Sequence, residues 1–125
     1  MAQTVLNQAE VKKFQYPDET RTFPYGKLEL LHMRGGDVGR FTVEPGWKWS
    51  EHVKAIAKTE WCQAEHFQYL LSGTMHVVMA DGKEFDVRAG DVVMIPAGHD
   101  AWVVGNEPVV AVDWTGAANY AKKKK

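Results

Sequence analysis

The chain has 125 residues, 45% hydrophobic and 25% charged, which is enough for one domain with a buried core and ordinary for a soluble globular protein. Its formal charge is −1, but without Lys122–Lys125 it carries 11 basic against 16 acidic residues, and such an acidic body lacks the basic face that nucleic-acid binding requires. No apolar run approaches a bilayer span, the first ten residues are polar and Cys62 is the only cysteine, so a cytoplasmic protein with no membrane contact, signal peptide or internal disulfide is expected.

Residues 1–25 show no clear periodicity and contain Pro17 and Pro24, which reads as an N-terminal arm with a short edge strand near Val11–Phe14. From Lys27 onward, short apolar runs alternate with turn residues every 8 to 12 positions, the pattern of an all-β sandwich or barrel occupying 26–118. The predicted strands are Leu28–Met33, Gly39–Val43, Trp47–Val53, Phe67–Leu71, Thr74–Met79, Glu84–Val87, Asp91–Ile95, Ala101–Val104 and Val109–Trp114. Asp81-Gly82 predicts a two-residue hairpin turn, since both central positions of a type I′ turn need positive φ. Lys54–Ala64 has no strand pattern and reads as a long loop or one helical turn, a kind of segment that tends to line binding sites. Residues 119–125 read as a solvated lysine-rich tail.

The histidines fall at fixed distances from glycines. Five residues separate Gly46 from His52, six separate His66 from Gly73, and five separate Gly90 from the Pro96-x-Gly98 turn that precedes His99. These intervals resemble the two signature motifs of the cupin superfamily. Its first motif has a glycine, five residues, His-x-His, a short gap, a glutamate, six residues and a glycine. Its second has a glycine, five residues, Pro-x-Gly, two residues and a histidine. The resemblance covers about Val38–Trp114 and implies a jelly-roll barrel, or double-stranded β-helix, with a metal or ligand site in its mouth.

The ligand positions depart from the motif. Lys54 stands where the second histidine is expected, His66 where the glutamate is expected, and Ala101 where the last histidine is expected. His99 lies two positions before Ala101, and a shift of two keeps strand parity, so its side chain is expected on the same inner face. The resemblance thus implies a divalent transition metal held by His52, His66 and His99, with zinc, nickel, iron, copper or manganese as the candidates. If "WCQAEH" forms a helical turn, Gln63 or Cys62 shares a face with His66, and Gln63 is the favoured further ligand over Cys62 and Glu65.

Around that site, Glu65 and Asp100 are the candidate acid–base residues, with Lys54 the one other group available. Asp100 either holds the tautomer of an imidazole beside it or, equally well, caps a turn. Lys54 is a candidate substrate contact or a plain solvent lysine. Trp49 and Trp102, with Trp47 and Trp61, form either an aromatic wall for a ligand or ordinary core. His32 and His76 read as satisfied histidines with no role in the site. The implied function is a small metalloenzyme of dioxygenase, isomerase or lyase type, acting on a carbonyl- or carboxylate-containing molecule. The alternatives are a non-catalytic small-molecule sensor and a metal-free structural barrel. A homodimer is expected, with the arm covering a neighbour's sheet edge.

Overall fold

The computed structural model describes residues 9–114. In chain order the elements are β1 (Glu19–Phe23), β2 (Gly26–Met33), β3 (Gly36–Val43), α1 (Trp49–His52), α2 (Lys54–Ala57), β4 (His66–Ser72), β5 (Thr74–Met79), β6 (Glu84–Arg88), β7 (Val92–Ile95), β8 (His99–Val104) and β9 (Val109–Asp113). All pairings are antiparallel. One six-stranded sheet runs β1-β2-β3-β9-β4-β7 and a three-stranded sheet runs β6-β5-β8, so the chain is all-β in a jelly-roll arrangement.

Strand alternation fills the space between the sheets. Along β4, His66, Gln68 and Leu70 face in while Phe67, Tyr69 and Leu71 face out, and along β8, His99, Ala101 and Val103 face in. Leu28, Leu30, Val77, Ile95 and Val109 close the core, and Trp49 reaches into it from α1.

Three elements differ from the sequence-based expectation. Val11–Phe14 forms no strand. β1 lies instead within the span read as an arm, because Glu19–Phe23 pairs in register with Gly26–Leu30. Residues 10–14 are tied to their own sheet: Lys12 Nζ reaches Asp18 and the His32 carbonyl, and Arg40 lies over Phe14. Trp47–Val53 is not a strand but a turn and a short helix. Trp47 and Trp49 suggest a period of two, but Glu51 is exposed while Trp49 and Val53, four apart, are buried together. The third difference is the turn at Asp81-Gly82, where only Gly82 has positive φ and Met79 closes a three-residue loop against Lys83. Lys122–Lys125 lie outside the described residues.

Gly73 joins β4 to β5 at a φ of +82°, and a Cβ there would sit 2.5 Å from the Pro108 carbonyl oxygen, which is backbone and cannot yield. Left-handed strain adds to that overlap, so Gly73→Ala is expected to cost about 2–5 kcal/mol. Gly82→Ala, at φ +96° in open space, is expected to cost about 1–2 kcal/mol from strain alone. Urea unfolding of both variants measures the difference. Equal losses would show that contact with Pro108 contributes nothing.

Candidate functional site

Both sheets deliver polar side chains into an otherwise apolar interior. His66 is the first residue of β4, and Asp113 on the neighbouring β9 orients it. Asp113, fully buried at the end of β9, accepts the His66 Nδ1–H at 2.5 Å, the Gln68 Nε2–H at 3.0 Å and the Phe67 backbone N–H at 3.3 Å. A carboxylate that accepts from Nδ1 fixes the tautomer of the neutral imidazole and its ring plane, and in that tautomer Nε2 carries no proton.

His99 comes from the opposite sheet. Pro96-Ala97-Gly98 turns the chain at the barrel rim, Gly98 having a φ of +92°, and the Pro96 carbonyl accepts the His99 Nδ1–H at 2.9 Å. Burial, with the neighbouring His66 second, lowers the His99 pKa to about 4, so its ring is neutral at pH 7. The two rings meet edge to face with centroids 5.2 Å apart.

Cys62 completes the group. Its backbone N–H donates to the His99 carbonyl at 2.8 Å, and its carbonyl accepts the Gly98 N–H at 2.7 Å, which locks the segment before β4 onto β8. One donor atom each of Cys62, His66 and His99 lies within 4.8 Å of the others, and all three residues are buried. Burial pushes the Cys62 thiol up to about 12, so without a cation beside it the sulfur keeps its proton.

The structure brings His66 and His99 together and brings neither His52 nor Gln63 to them. His52 sits on α1, where its Nδ1 accepts the Lys48 backbone N–H at 3.0 Å and its ring packs on Tyr25. Residues 62–66 are extended rather than helical. A period of two places Cys62 on the inner side with His66 and turns Gln63 and Glu65 outward, and the exposed Gln63 donates to the Trp61 carbonyl. Counting back a short gap from His66 toward the motif's His-x-His lands on Cys62. Counting forward from Gly46 instead stops at His52, the last residue of α1 and ahead of the rest of the insertion.

The remaining candidates separate in the same way. Trp49 is buried and lines the interior cavity. Trp102 points out from β8, packed on His76 and covered by the Lys48 ammonium 4.7 Å from its ring centre. Lys54 pairs with Glu60 outside the barrel. Asp100 accepts the Ser50 and Ala101 backbone N–H groups, holding the first turn of α1 against β8, which is the capping alternative rather than an acid–base one. His32 and His76 lie on outer faces beside carboxylates, and their pKa values are raised by hydrogen bonds to Asp37 and Asp86, respectively.

The space between the sheets opens to solvent, and the roughly 470 Å³ of non-atom space there includes part of that solvent. Phe41, Trp47, Trp49 and Met75 are prominent in its wall, and His66, Gln68 and His99 are its polar members. Cys62 is not among the residues that line it. A concave, mostly apolar space with a few convergent polar groups is the usual form of a small-molecule site.

Residues 39–115 match the model of the Cupin domain family, which is more than half of the chain. The protein belongs to the cupin family. Solved cupins share its fold. An oxalate decarboxylase from Lactobacillus farciminis, in a formate complex, is 22% identical with a TM-score of 0.58, covering 78% of this cupin and 30% of its own chain. A cupin-like protein from Thermotoga maritima is 18% identical with a TM-score of 0.54, covering 78% and 73%. A variant of Bacillus subtilis oxalate decarboxylase is 24% identical with a TM-score of 0.54, covering 93% and 29%. This cupin therefore spans less than a third of each decarboxylase, and the likeness carries the fold. Among curated proteins no sequence matches. Among the described residues no helix is long and apolar enough to cross a membrane.

Proposed function

We propose that this cupin is a small metalloenzyme in which Cys62, His66 and His99 hold a divalent transition ion beside a cavity that admits a carbonyl compound. The observation that carries the reading is the convergence of three buried donors from both sides of the barrel, two of them on residues that line the cavity. The donor set fits such an ion. One sulfur and two imidazoles suit zinc, copper, iron or nickel better than manganese, magnesium or calcium. Tetrahedral zinc bonds of about 2.0–2.3 Å set ligand atoms roughly 3.3–3.6 Å apart, so donors within 4.8 Å of one another need close by only about an ångström. Asp113 and the Pro96 carbonyl already orient the two imidazoles.

A bound ion would supply Lewis acidity toward a carbonyl oxygen. The chain's own residues supply the rest. Asp113 keeps the proton of His66 on Nδ1, His99 stays neutral at pH 7, and the aromatic wall excludes water. The sensor reading has one observation in its favour, which is that no carboxylate or lysine lines the cavity.

Cobalt titration of metal-free protein tests the site. One ion per chain, with thiolate-to-cobalt absorption, is expected. Cys62→Ala and His66→Ala should each weaken uptake by more than about a hundredfold, while His52→Ala leaves it unchanged. Uptake that is equal in all variants, or that lacks the thiolate signature, overturns the assignment. Turnover of a carbonyl compound by the loaded protein then separates enzyme from sensor.

The assembly is also a proposal. The two edges of the large sheet differ: β1 carries Glu19 and Arg21, whereas β7 is uncharged and leads into an exposed apolar row of Val92, Met94, Phe67 and Tyr69. Charges guard an edge against pairing, and their lack on β7 fits antiparallel pairing with the same strand of a second copy. Sedimentation should show a dimer at micromolar protein that Met94→Lys turns into monomer. A wild-type monomer, or a dimer indifferent to that charge, counts against pairing through β7.

A further inference from the structure

Two buried polar atoms on cavity-lining residues have no hydrogen-bond partner: Trp47 Nε1 and Gln68 Oε1. Trp47 is 4% exposed and Gln68 5%. The Gln68 amide cannot be turned round to hide its oxygen. Its other end donates to Asp113 at 3.0 Å, and a buried carboxylate only accepts, so Nε2 belongs there and Oε1 is left over. An indole N–H and an amide oxygen, each shut away from water without a partner, are costly in an apolar interior. In this protein both belong to the wall of the same cavity. They are complementary in kind, since one needs an acceptor and the other a donor.

The same wall contains no lysine or arginine. The cations near the barrel are engaged elsewhere, Lys48 over Trp102 and Lys54 with Glu60. An anion in this space would meet no compensating charge from a side chain, and a carboxylate in an apolar wall without one is strongly disfavoured.

We infer that the cavity selects an uncharged, largely apolar molecule carrying both a carbonyl and an N–H or O–H group, with Trp47 donating to the carbonyl oxygen and Gln68 accepting from the N–H or O–H. An amide or a hydroxy-ketone has this pairing of groups, and a carboxylate of the same shape does not. The inference rests on the proposed small-molecule role of the cavity. For the metal-free cavity it favours the uncharged members of the carbonyl- or carboxylate-containing class.

Benzamide and benzoate are near-isosteric probes of the distinction. They are titrated calorimetrically into the full chain, metal-free and cobalt-loaded. Metal-free protein is expected to bind benzamide at least tenfold more tightly than benzoate. Trp47→Phe and Gln68→Met should each weaken benzamide about five- to tenfold, the loss of one hydrogen bond, while leaving benzoate unchanged. Trp47→Phe keeps the ring packing and so covers the case in which Gln68→Met, which also loses the bond to Asp113, fails to fold. Benzoate binding as tightly as benzamide, benzamide affinity unmoved by Trp47→Phe, or no benzamide binding at millimolar concentration would each overturn the inference. The metal-free arm makes these results independent of the ion, so failure of cobalt uptake would defeat the metal site and leave the cavity's preference standing.

Discussion

Asp113→Asn is expected to lower metal affinity about 10- to 100-fold while leaving Cys62, His66 and His99 in place. The carboxylate is fully buried and accepts from His66, Gln68 and the Phe67 backbone. An asparagine presents one oxygen and one NH2 in the same space. If its NH2 turns to His66, the imidazole must accept at Nδ1, and its proton moves to Nε2, the nitrogen needed for a metal. That orientation also sets its NH2 against the Gln68 NH2. If its oxygen turns to His66 instead, it accepts from both His66 and Gln68, but its NH2 opposes the Phe67 backbone N–H. Either arrangement breaks a buried network, and a loss of roughly 2–4 kcal/mol of stability accompanies the weaker uptake. Gln68→Met is the control, since it removes one bond to Asp113 and leaves the His66 tautomer alone. It should lose stability without losing metal. Cobalt titration and urea unfolding of the two variants read both effects. A folded Asp113→Asn protein with wild-type affinity would show that the Asp113 carboxylate does not matter to the site.

Much of the architecture was legible in the sequence because it is written in short-range patterns. Alternation within Phe67–Leu71, Thr74–Met79 and Val109–Trp114 reflects a buried inner face, and Pro96-Ala97-Gly98 marks the turn that precedes His99. The strand parity that makes position 99 equivalent to 101 is a local property as well, and both residues are buried on the inner face of β8. The legibility failed where two periods compete. Trp47 and Trp49 satisfy a period of two over too few residues to outweigh Trp49 and Val53, which satisfy a helical one, and only packing against β8 decides between them. That single choice displaced the site reading. With Trp47–Val53 taken as a strand, the five-residue spacing from Gly46 presents His52 as the first ligand. With those residues in a helix, the inserted segment returns at Cys62, which docks on His99 through backbone bonds that no side-chain pattern announces. Asp113 was invisible for a related reason. Its role comes from the pairing of β9 with β4, a contact between residues 45 and more positions apart, and nothing around it in sequence marks it.

Acid is expected to destabilise the metal-free protein through His99 by roughly 3 kcal/mol between pH 6.5 and pH 4. The folded state holds this ring at a pKa of about 4 against an ordinary 6.5, first because it is buried and second because His66 lies beside it. Between those two values the unfolded chain takes up a proton that the folded chain refuses, so unfolding is favoured as the pH falls. The contribution is therefore fully present above pH 6.5, shrinks through the window, and levels off below pH 4. His32 and His76 act with the opposite sign. Their folded pKa values are raised by carboxylate partners, so what they add is present below pH 6.5 and fades as the pH rises through the raised values. Both are solvent-exposed pairs, whose screened contributions do not offset a buried ring. His99→Asn isolates the effect, because an asparagine can still donate to the Pro96 carbonyl but has no proton to gain. Urea unfolding of metal-free protein at pH 7, 6 and 5 should show wild type losing stability with acid and His99→Asn holding nearly level. Parallel losses in the two would place the acid sensitivity elsewhere in the fold. With cobalt bound, the wild-type loss should steepen, since protons then compete with the ion for Cys62, His66 and His99 together.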